Sequence, residues 1–357
     1  MNLIDLRKKI DSIDAEILKL LDTRFEMAIR AKRFKTNIHD SNREEKILLR
    51  AKQQYSNLLS GEFAEKLFTD IIMEAKRLQI QNLRLIGFQG EHGAYSEIAA
   101  KTYDSNLIPI PCIEFADVFN GVGQGYFDLG IVPVENSIEG QVTQVNDLLI
   151  STNLKVVGEV AIPIHHCLIA LRETDLRDIK VAYSHPQALG QCNGFLERNK
   201  IEGRPFYNTA GAAAMLARER STGGAVIASK LAAEIYDLKI LEEKIEDSKN
   251  NNTRFLIISK EMMTTGGNKC SITFKTHSKT GSLFGILKIF AQANINLTRI
   301  ESRTLRDGTD RVAFILDFIG SDKDENVAKA INQLASKVSS LNILGCYGEW
   351  KFENPEM

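Results

Sequence analysis

The stretch RLIGFQGEHGAYSE, Arg84–Glu97, marks the point at which the chain changes from one fold class to another. It begins with a short apolar run typical of a strand, continues through a polar turn and ends in a helical segment. Beyond it, apolar runs alternate with helical segments as far as FLIIS at 255–259. This order predicts an α/β domain over residues 83–260 with a largely parallel sheet. We expect two lobes with a cleft between them, and a chain that returns to the first lobe.

The residues before this stretch have a helical pattern. Their apolar positions are spaced alternately by three and four residues, which predicts one long helix. Arg24 occupies an apolar position of that seam, so its charge needs a partner, and Lys35 lies on the same helix face three turns later. SNRE, Ser41–Glu44, predicts the start of a second helix through a capping box. With a third helix from about residue 62 to 80, residues 1–82 form an all-α domain.

A second change follows the α/β segment. MMTTGGN, at 262–268, is typical of a linker. The order of strands and helices after it is βαββαβ. This order predicts an α+β domain of ferredoxin-like topology over residues 270–349.

The composition excludes several classes of function. With 45 basic and 46 acidic residues, the net charge is −1, which favours neither nucleic acid nor a membrane surface as partner. Five cysteines are scattered without a CxxC pair, so we expect free thiols in a cytoplasmic protein and no metal site. The sequence has no signal-peptide core, no membrane span, no P-loop and no dinucleotide fingerprint, and we expect no cofactor.

Several polar, glycine-rich turns follow predicted strands and precede predicted helices. Strand ends that lead into helix N-termini are where open α/β sheets bind anions. One such turn is ordinary, but a set of them in one domain predicts a small anionic ligand. The turns are GFQGEHGAYSE at 87–97, PVENSIEG at 133–140, SHPQALGQC at 184–192 and TAGAAAM at 209–215.

Three of these turns, at 87–97, 133–140 and 184–192, together with HHCLIA at 165–170 and NNTRF at 251–255, form five motifs that resemble the prephenate dehydratases, whereas GAYSE and TAGAA resemble the arogenate dehydratases. Residues 6–79 resemble the helical chorismate mutase module, and GSLFGIL at 281–287 with IESR at 300–303 resembles the phenylalanine-binding ACT domain. The whole chain therefore resembles the bifunctional chorismate mutase–prephenate dehydratase family.

The resemblance implies a dehydratase site in the cleft of the α/β domain. Thr253 is the catalytic residue it implies, as a positioned hydrogen-bond donor to the leaving hydroxide. For Arg254 two interpretations remain open, a ligand of a substrate carboxylate or a partner of a protein carboxylate. Glu135 is either a cleft acid or a loop brace, and we interpret His185 as a brace. The expected prephenate-binding residues are Asn136, Ser137, Ser184, Gln187, Thr209, Arg254 and Phe255.

The resemblance also implies a mutase site, since holding a flexible dianion compactly suits arginines and a lysine. Arg7 and Lys35 are 28 residues apart, or about 42 Å along one helix. If both contact chorismate, Arg7 comes from a partner chain, so we expect an intertwined homodimer or a higher homo-oligomer. The implied residues are Lys35 and Gln79 as catalytic, and Arg7, Arg24, Asp40, Arg43 and Glu44 as chorismate-binding.

The resemblance of residues 270–349, called the tail below, to the ACT domain implies feedback inhibition by L-phenylalanine. The expected effector residues are Gly281, Ser282, Leu283, Asn294, Glu301, Ser302 and Arg303. Three alternatives remain: a tail that only dimerises the enzyme, an arogenate dehydratase, and a sensor of amino acids without catalytic activity. Thr253, Arg24 and Lys35 argue against the sensor, which would need none of them.

Overall fold

The computed structural model describes residues 3–35, 39–53, 58–221, 223–262, 266–305 and 311–350. The chain divides into two compact units, Met1–Arg84 and Leu85–Met357. Within the described residues, no helix has the length and apolar character needed to cross a bilayer.

The first unit is helical, as its apolar spacing predicts. The third helix packs against the other two and buries Ile71, Ile72 and Ala75. Much of the predicted apolar seam of the first helix is exposed, including Leu6, Ile10 and Ile13. The helices are α1 (Leu3–Lys32), α2 (Ser41–Gln53) and α3 (Gly61–Ile80).

The start of α2 differs from the predicted capping box. The side chain of Asp40, not Ser41, accepts the N–H of Arg43 at 3.1 Å. Glu44 does not reach back to the helix start but pairs with Lys76 on α3, with 2.7 Å between their charged atoms. The prediction of a capping box at Ser41 is therefore wrong, because the residue before it already satisfies the free N–H group.

The second unit contains the predicted lobes. The first lobe is a six-stranded sheet in the order β2-β1-β3-β11-β5, with β4 paired to β3. Its strands are β1 (Leu85–Gln89), β2 (Ile108–Cys112), β3 (Leu129–Asn136), β4 (Gly140–Gln141), β5 (Lys155–Pro163) and β11 (Asn252–Ser259). Its helices are α4 (Tyr95–Tyr103), α5 (Phe115–Gly123) and α6 (Thr143–Ser151).

The second lobe is a five-stranded sheet in the order β10-β6-β9-β7-β8. A short 3₁₀ turn spans Leu176–Asp178. The strands are β6 (Cys167–Ala170), β7 (Val181–Ser184), β8 (Glu202–Pro205), β9 (Gly224–Ala228) and β10 (Lys239–Glu242). The helices are α7 (Pro186–Gln191), α8 (Asn193–Asn199), α9 (Thr209–Glu219) and α10 (Lys230–Ile235).

The chain does return to the first lobe, since β11 lies between β3 and β5. The prediction of largely parallel sheets is wrong, however. β1 pairs in parallel with β2 and β3, but β11 is antiparallel to both of its neighbours. β6 is likewise antiparallel to β9 and β10. A strand that returns from the other lobe needs no crossover helix and can therefore pair antiparallel.

The tail has the predicted βαββαβ order. Its four-stranded sheet has the order β13-β14-β12-β15 and packs against β5 of the first lobe through β15. The predicted linker at 262–268 lies partly outside the described residues. The elements are β12 (Lys269–His277), α11 (Ser282–Gln292), β13 (Leu297–Thr304), β14 (Arg311–Ile319), α12 (Glu325–Ala335) and β15 (Ser340–Tyr347).

One pair of cysteines contradicts the expectation of free thiols. Cys270 and Cys346 form a disulfide between β12 and β15, with their Cα atoms 4.1 Å apart. They are 76 residues apart in sequence, and the antiparallel pairing places them directly opposite each other. Sequence spacing does not reveal such a pair. Cys112, Cys167 and Cys192 are buried free cysteines.

Candidate active sites

A cavity of about 250 Å³ in the helical unit brings together most of the predicted mutase residues. All three helices contribute to its lining, and its apolar walls include Ile47 and Ile72. Of the predicted residues, it contains Arg24, Lys35, Asp40, Arg43, Glu44 and Gln79.

The charges of this cavity favour an anionic ligand. Burial lowers the pKa of the Arg24 guanidinium, and the nearby positive charge of Arg43 lowers it further. Two guanidinium groups that repel each other at one cavity are stabilised when a dianion lies between them. Gln79 is buried, and its Nε2 donates to the carbonyl of Ala28 at 2.5 Å. That bond fixes the amide and leaves its second N–H for a ligand.

Two features of the cavity modify the sequence interpretation. Asp40 accepts the Arg43 N–H as the cap of α2, and Glu44 is paired with Lys76. Both carboxylates therefore have structural roles beside any contact with substrate. Lys76 itself lines the cavity, and the sequence interpretation missed it. The available signal was its position one turn before Gln79 on α3.

Arg7 lies apart from the cavity of its own chain. It is exposed on α1, which is continuous from Leu3 to Lys32. Lys35 follows the end of α1, so the prediction that it lies on a face of that helix is wrong. That Arg7 and Lys35 do not contact one substrate within a chain stays a prediction, which the length of α1 supports.

Thr253, the predicted catalytic residue of the α/β domain, is held by a specific neighbour. β11 places Thr253 directly opposite Asn136 at the end of β3. The Oγ1 of Thr253 accepts a hydrogen bond from Asn136 Nδ2 at 2.9 Å. The Oδ1 of Asn136 accepts the N–H groups of Ile138 and Glu139, each at 2.9 Å. Since the amide of Asn136 donates to the hydroxyl oxygen, this bond does not use the hydroxyl proton of Thr253.

A chain of partly buried hydrogen bonds leads to this pair. Asn136 Nδ2 also donates to Asn251 Oδ1 at 2.7 Å, and Asn251 Nδ2 donates to Gln191 Oε1 at 2.9 Å. His166 Nε2 lies 2.9 Å from the same Gln191 oxygen, and the Tyr95 hydroxyl lies 2.8 Å from His166 Nδ1. Each of the five motifs that resemble the prephenate dehydratases supplies one member of this chain of hydrogen bonds, which fixes the amide of Asn136.

Burial favours the uncharged form of the two ionisable side chains in this chain of hydrogen bonds. Burial lowers the pKa of His166 and raises the pKa of Tyr95 well above its usual value. The sequence interpretation named neither Gln191 nor Asn251 as a site residue. Both lie in the quoted motifs, but the position of a residue in a motif does not show whether its side chain points towards Asn136 and Thr253.

Other predicted cleft residues have local roles. The Ser137 hydroxyl donates to Asn250 O at 2.8 Å and accepts Asn252 N–H at 3.0 Å, which fixes the start of β11. His185 accepts the N–H of Gln187 as the cap of α7, so its interpretation as a brace is confirmed. The Gln187 side chain is exposed.

Thr209 is half-buried at the first position of α9, which is capped by Asn208. Because Asn208 caps the helix, the hydroxyl of Thr209 is not needed as the cap.

Three predicted prephenate ligands are directed away from the cleft. Ser184 is fully buried and donates to Ile227 O at 2.6 Å. Phe255 belongs to the apolar core of the first lobe. Arg254 contacts Glu159 at 2.9 Å and Asp317 at 2.6 Å. Of the two interpretations of Arg254, the structure therefore supports the second, in which its guanidinium pairs with carboxylates of the protein. Glu135 lies 3.6 Å from the same guanidinium and helps to hold it.

The predicted effector residues lie at separate places in the tail. Gly281, with φ of 83°, precedes α11, whereas the exposed Asn294, with φ of 55°, follows it. The helix between them is about 16 Å long, so one small ligand does not contact both ends in a single chain. Ser282 and Leu283 form the first turn of α11. Glu301, Ser302 and Arg303 lie on the edge strand β13, where Arg303 pairs with Asp147 of α6 at 2.6 Å.

Comparisons with known proteins match three families along the chain. Family models match in the order chorismate mutase type II at residues 6–80, prephenate dehydratase at 86–263 and ACT domain at 271–336. A bifunctional chorismate mutase/prephenate dehydratase of Aquifex aeolicus is 35% identical over 355 residues, covering 96% of this chain and 97% of that protein. The chain belongs to the bifunctional chorismate mutase/prephenate dehydratase family.

Two further relatives bear on details of the family's chemistry. An arogenate dehydratase/prephenate dehydratase of Arabidopsis thaliana is 36% identical over 82% of this chain and 78% of its own length. The crystal structure of a prephenate dehydratase of Arthrobacter aurescens in complex with L-Phe has a TM-score of 0.69 and 29% identity. It covers 74% of this chain and 90% of that one.

The bond between Asn136 and Thr253 gives a first testable prediction. Asn136→Asp keeps the shape of the side chain but presents an acceptor, so the Thr253 proton turns towards it and away from the cleft. We expect the dehydratase rate to fall about 10²-fold, as for other lost transition-state donors, while the mutase rate stays unchanged. Steady-state rates on prephenate and on chorismate check this. A dehydratase rate near that of the wild type would contradict the assigned bond.

Proposed function

We propose that this chain rearranges chorismate to prephenate in its helical unit and converts prephenate to phenylpyruvate in its two-lobed domain. The observation that carries the dehydratase assignment is the Thr253 hydroxyl, held as a donor by the amide of Asn136. The cationic cavity in the helical unit supports the mutase assignment. We also propose a cytoplasmic homodimer, with the domains divided at residues 1–82, 83–260 and 270–349.

The dehydratase step needs no cofactor in this proposal. Prephenate loses its ring carboxylate as CO₂, and the electron pair of that bond moves into the ring while hydroxide leaves from the opposite carbon. The ring becomes aromatic, which drives the reaction. Thr253 donates a hydrogen bond to the departing oxygen and stabilises the charge that develops on it. A threonine hydroxyl is a very weak acid, so its contribution is a positioned donor and not a free proton source.

The mutase step is a pericyclic rearrangement that needs neither a base nor a nucleophile. Arg24, Arg43 and Lys35 compensate the two carboxylates and hold the molecule in its compact conformation. Lys35 and the free N–H of Gln79 stabilise the negative charge that develops on the ether oxygen.

The substrate of the dehydratase domain is tested by supplying prephenate and arogenate separately to the purified chain. We expect the larger kcat/KM with prephenate, because the fused mutase produces that compound. A larger kcat/KM with arogenate would favour the alternative. Failure of both substrates to react would leave the sensor as the remaining hypothesis.

We further propose that L-phenylalanine inhibits the dehydratase by binding between two paired tails, each supplying one of the two separated segments. The ligand carboxylate meets the N–H groups of the turn at Gly281, and Asn294 with Glu301–Arg303 comes from the partner tail. The L-phenylalanine complex of the Arthrobacter aurescens relative supports this choice of ligand. Inhibition requires that the ligand prefer the less active state, so it changes an arrangement of domains and does not block the cleft.

Gly281 provides a test of the effector site. Its φ of 83° is unfavourable for any residue with a Cβ, so Gly281→Ala shifts the turn that takes the carboxylate. We expect the L-phenylalanine concentration that gives half-inhibition to rise about tenfold. A tenfold rise corresponds to about 1.4 kcal/mol of binding free energy, which is within the usual range of allosteric coupling free energies. The uninhibited rate stays unchanged. Titration with D-phenylalanine serves as control, and equal inhibition of variant and wild type would contradict the site.

A further inference from the structure

The residue beside Thr253 connects the dehydratase domain to the tail. Neighbouring residues of a strand point to opposite faces, so Thr253 faces Asn136 while Arg254 faces the tail. The pairing of β11 with β3 shifts register directly after Arg254, and such a bulge redirects side chains. The Arg254 guanidinium then lies 2.6 Å from Asp317 on β14 and 2.9 Å from Glu159 on β5.

Both carboxylates are buried and held from several sides. The Asp317 side chain is 0% exposed and accepts the Ser271 hydroxyl at 2.7 Å. Tyr347 lies 2.7 Å from that same hydroxyl. Glu159 is 2% exposed and is also paired with Lys269, the first residue of β12, at 2.9 Å. These contacts hold the Arg254 guanidinium between a strand of the first lobe and the sheet of the tail.

Arg254 and Asp317 stabilise each other's charged forms in this junction. Burial alone would lower the pKa of Arg254, but Asp317 beside it raises that pKa above its usual value. Burial would raise the pKa of Asp317, but Arg254 and Arg299 hold it below its usual value. A buried ion pair of this kind is sensitive to geometry, because displacement of one partner leaves the other charge buried and uncompensated.

The same aspartate also contacts the strand that carries the predicted effector segment. Arg299 on β13 lies 3.6 Å from Asp317 and opposite it in the sheet. Arg299 Nη1 and Nε are buried without a hydrogen-bond partner among the described atoms. Two residues further along β13 the segment Glu301–Arg303 begins. A small displacement of β13 therefore changes the balance between Arg299 and Arg254 at one carboxylate.

We propose that Asp317 is a positioning residue for prephenate dehydration, acting through Arg254 on the strand that holds Thr253. Through Asp317, the tail thus helps to orient the hydroxyl of Thr253. The coupling passes from β13 through Arg299 and Asp317 to Arg254 and Thr253. This inference rests on the proposed dehydratase function and adds the physical link by which the tail reaches it.

The test compares Asp317→Asn with Lys155→Met in the full chain. Asparagine removes the charge and keeps the shape. Lys155 also bridges the first lobe and the tail, donating to Ile343 O at 2.9 Å, and among the described residues it has no hydrogen bond or ion pair with the network described above. For Asp317→Asn we expect kcat on prephenate to fall about tenfold, within the range seen for mutations along a coupling path. We expect KM to stay within about twofold, an unchanged mutase rate, and weaker inhibition by L-phenylalanine. Lys155→Met should match the wild type.

Two further variants keep the proposal falsifiable if Asp317→Asn folds poorly. Ser271→Ala keeps every charge and removes one hydrogen bond to Asp317, so a smaller loss in kcat and in inhibition is expected. In Asp317→Asn combined with Arg254→Met, the losses should not add, since both changes break one contact.

A kcat and an L-phenylalanine response equal to those of Lys155→Met would overturn the proposal, as would a rise in KM alone. If Asp317→Asn folds poorly, a kcat and an L-phenylalanine response of Ser271→Ala equal to those of the wild type would overturn it too. If the wild-type chain forms no phenylpyruvate from prephenate, the dehydratase function itself fails, and that result is distinct from the others.

Discussion

Thr253→Val is expected to abolish conversion of prephenate to phenylpyruvate, with a loss of about 10²-fold or more, the size typical of a lost transition-state donor. Valine has nearly the shape of threonine but neither donates to the leaving hydroxide nor accepts from Asn136. The mutase rate should remain that of the wild type, because the mutase cavity lies in the other compact unit. Steady-state assays on prephenate and on chorismate measure the two rates.

Thr253→Ser is the matched control for this prediction. It keeps the hydroxyl and loses only a methyl group, so most of the dehydratase rate should remain. If valine and serine variants lose the same activity, the loss comes from packing around the buried side chain, and the donor role is contradicted.

The mutase variants Arg7→Ala and Lys35→Ala are each expected to be nearly inactive on chorismate and to restore activity when mixed. α1 is continuous over Leu3–Lys32, and Lys35 lies in the cavity whereas Arg7 does not. The exposed apolar residues of α1, such as Ile10 and Ile13, provide a surface for a partner helix. With random exchange of subunits in a dimer, about a quarter of the wild-type activity returns.

A chain carrying both changes is the control for the mixing experiment. Mixed with either single variant, it offers no complete site and should restore nothing. Native mass spectrometry of the mixture verifies subunit exchange. No recovery after verified exchange would contradict a site shared between chains.

The fold could be predicted where sequence periodicity reports directly on secondary structure. Apolar residues spaced alternately by three and four positions predicted α1. The change in that apolar spacing after residue 82 predicted the start of the α/β domain. The βαββαβ order of the tail followed in the same way. Strand direction could not be predicted, because the apolar pattern of a buried strand is the same in a parallel or an antiparallel pair. That is why β11 and β6 differ from the expectation.

The sequence predicted which segments contribute to the candidate sites. It did not always predict which side chains in those segments point towards the site. Motif position alone did not separate Gln191, whose amide joins the chain to Asn136, from the exposed Gln187. Ser184 and Phe255 belong to the right motifs and face the core. Asp317 is 63 residues from Arg254, and only the packing of the tail against the first lobe brings the two together. The disulfide of Cys270 with Cys346 depends on the same kind of non-local pairing.

The central claim is that one chain performs two consecutive reactions. It is tested most directly by giving chorismate alone to the purified wild-type protein and following chorismate, prephenate and phenylpyruvate with time. The account predicts that chorismate disappears, that prephenate rises and then falls, and that phenylpyruvate accumulates in the amount of chorismate consumed. Accumulation of prephenate without phenylpyruvate, or no consumption of chorismate by folded protein, would contradict it.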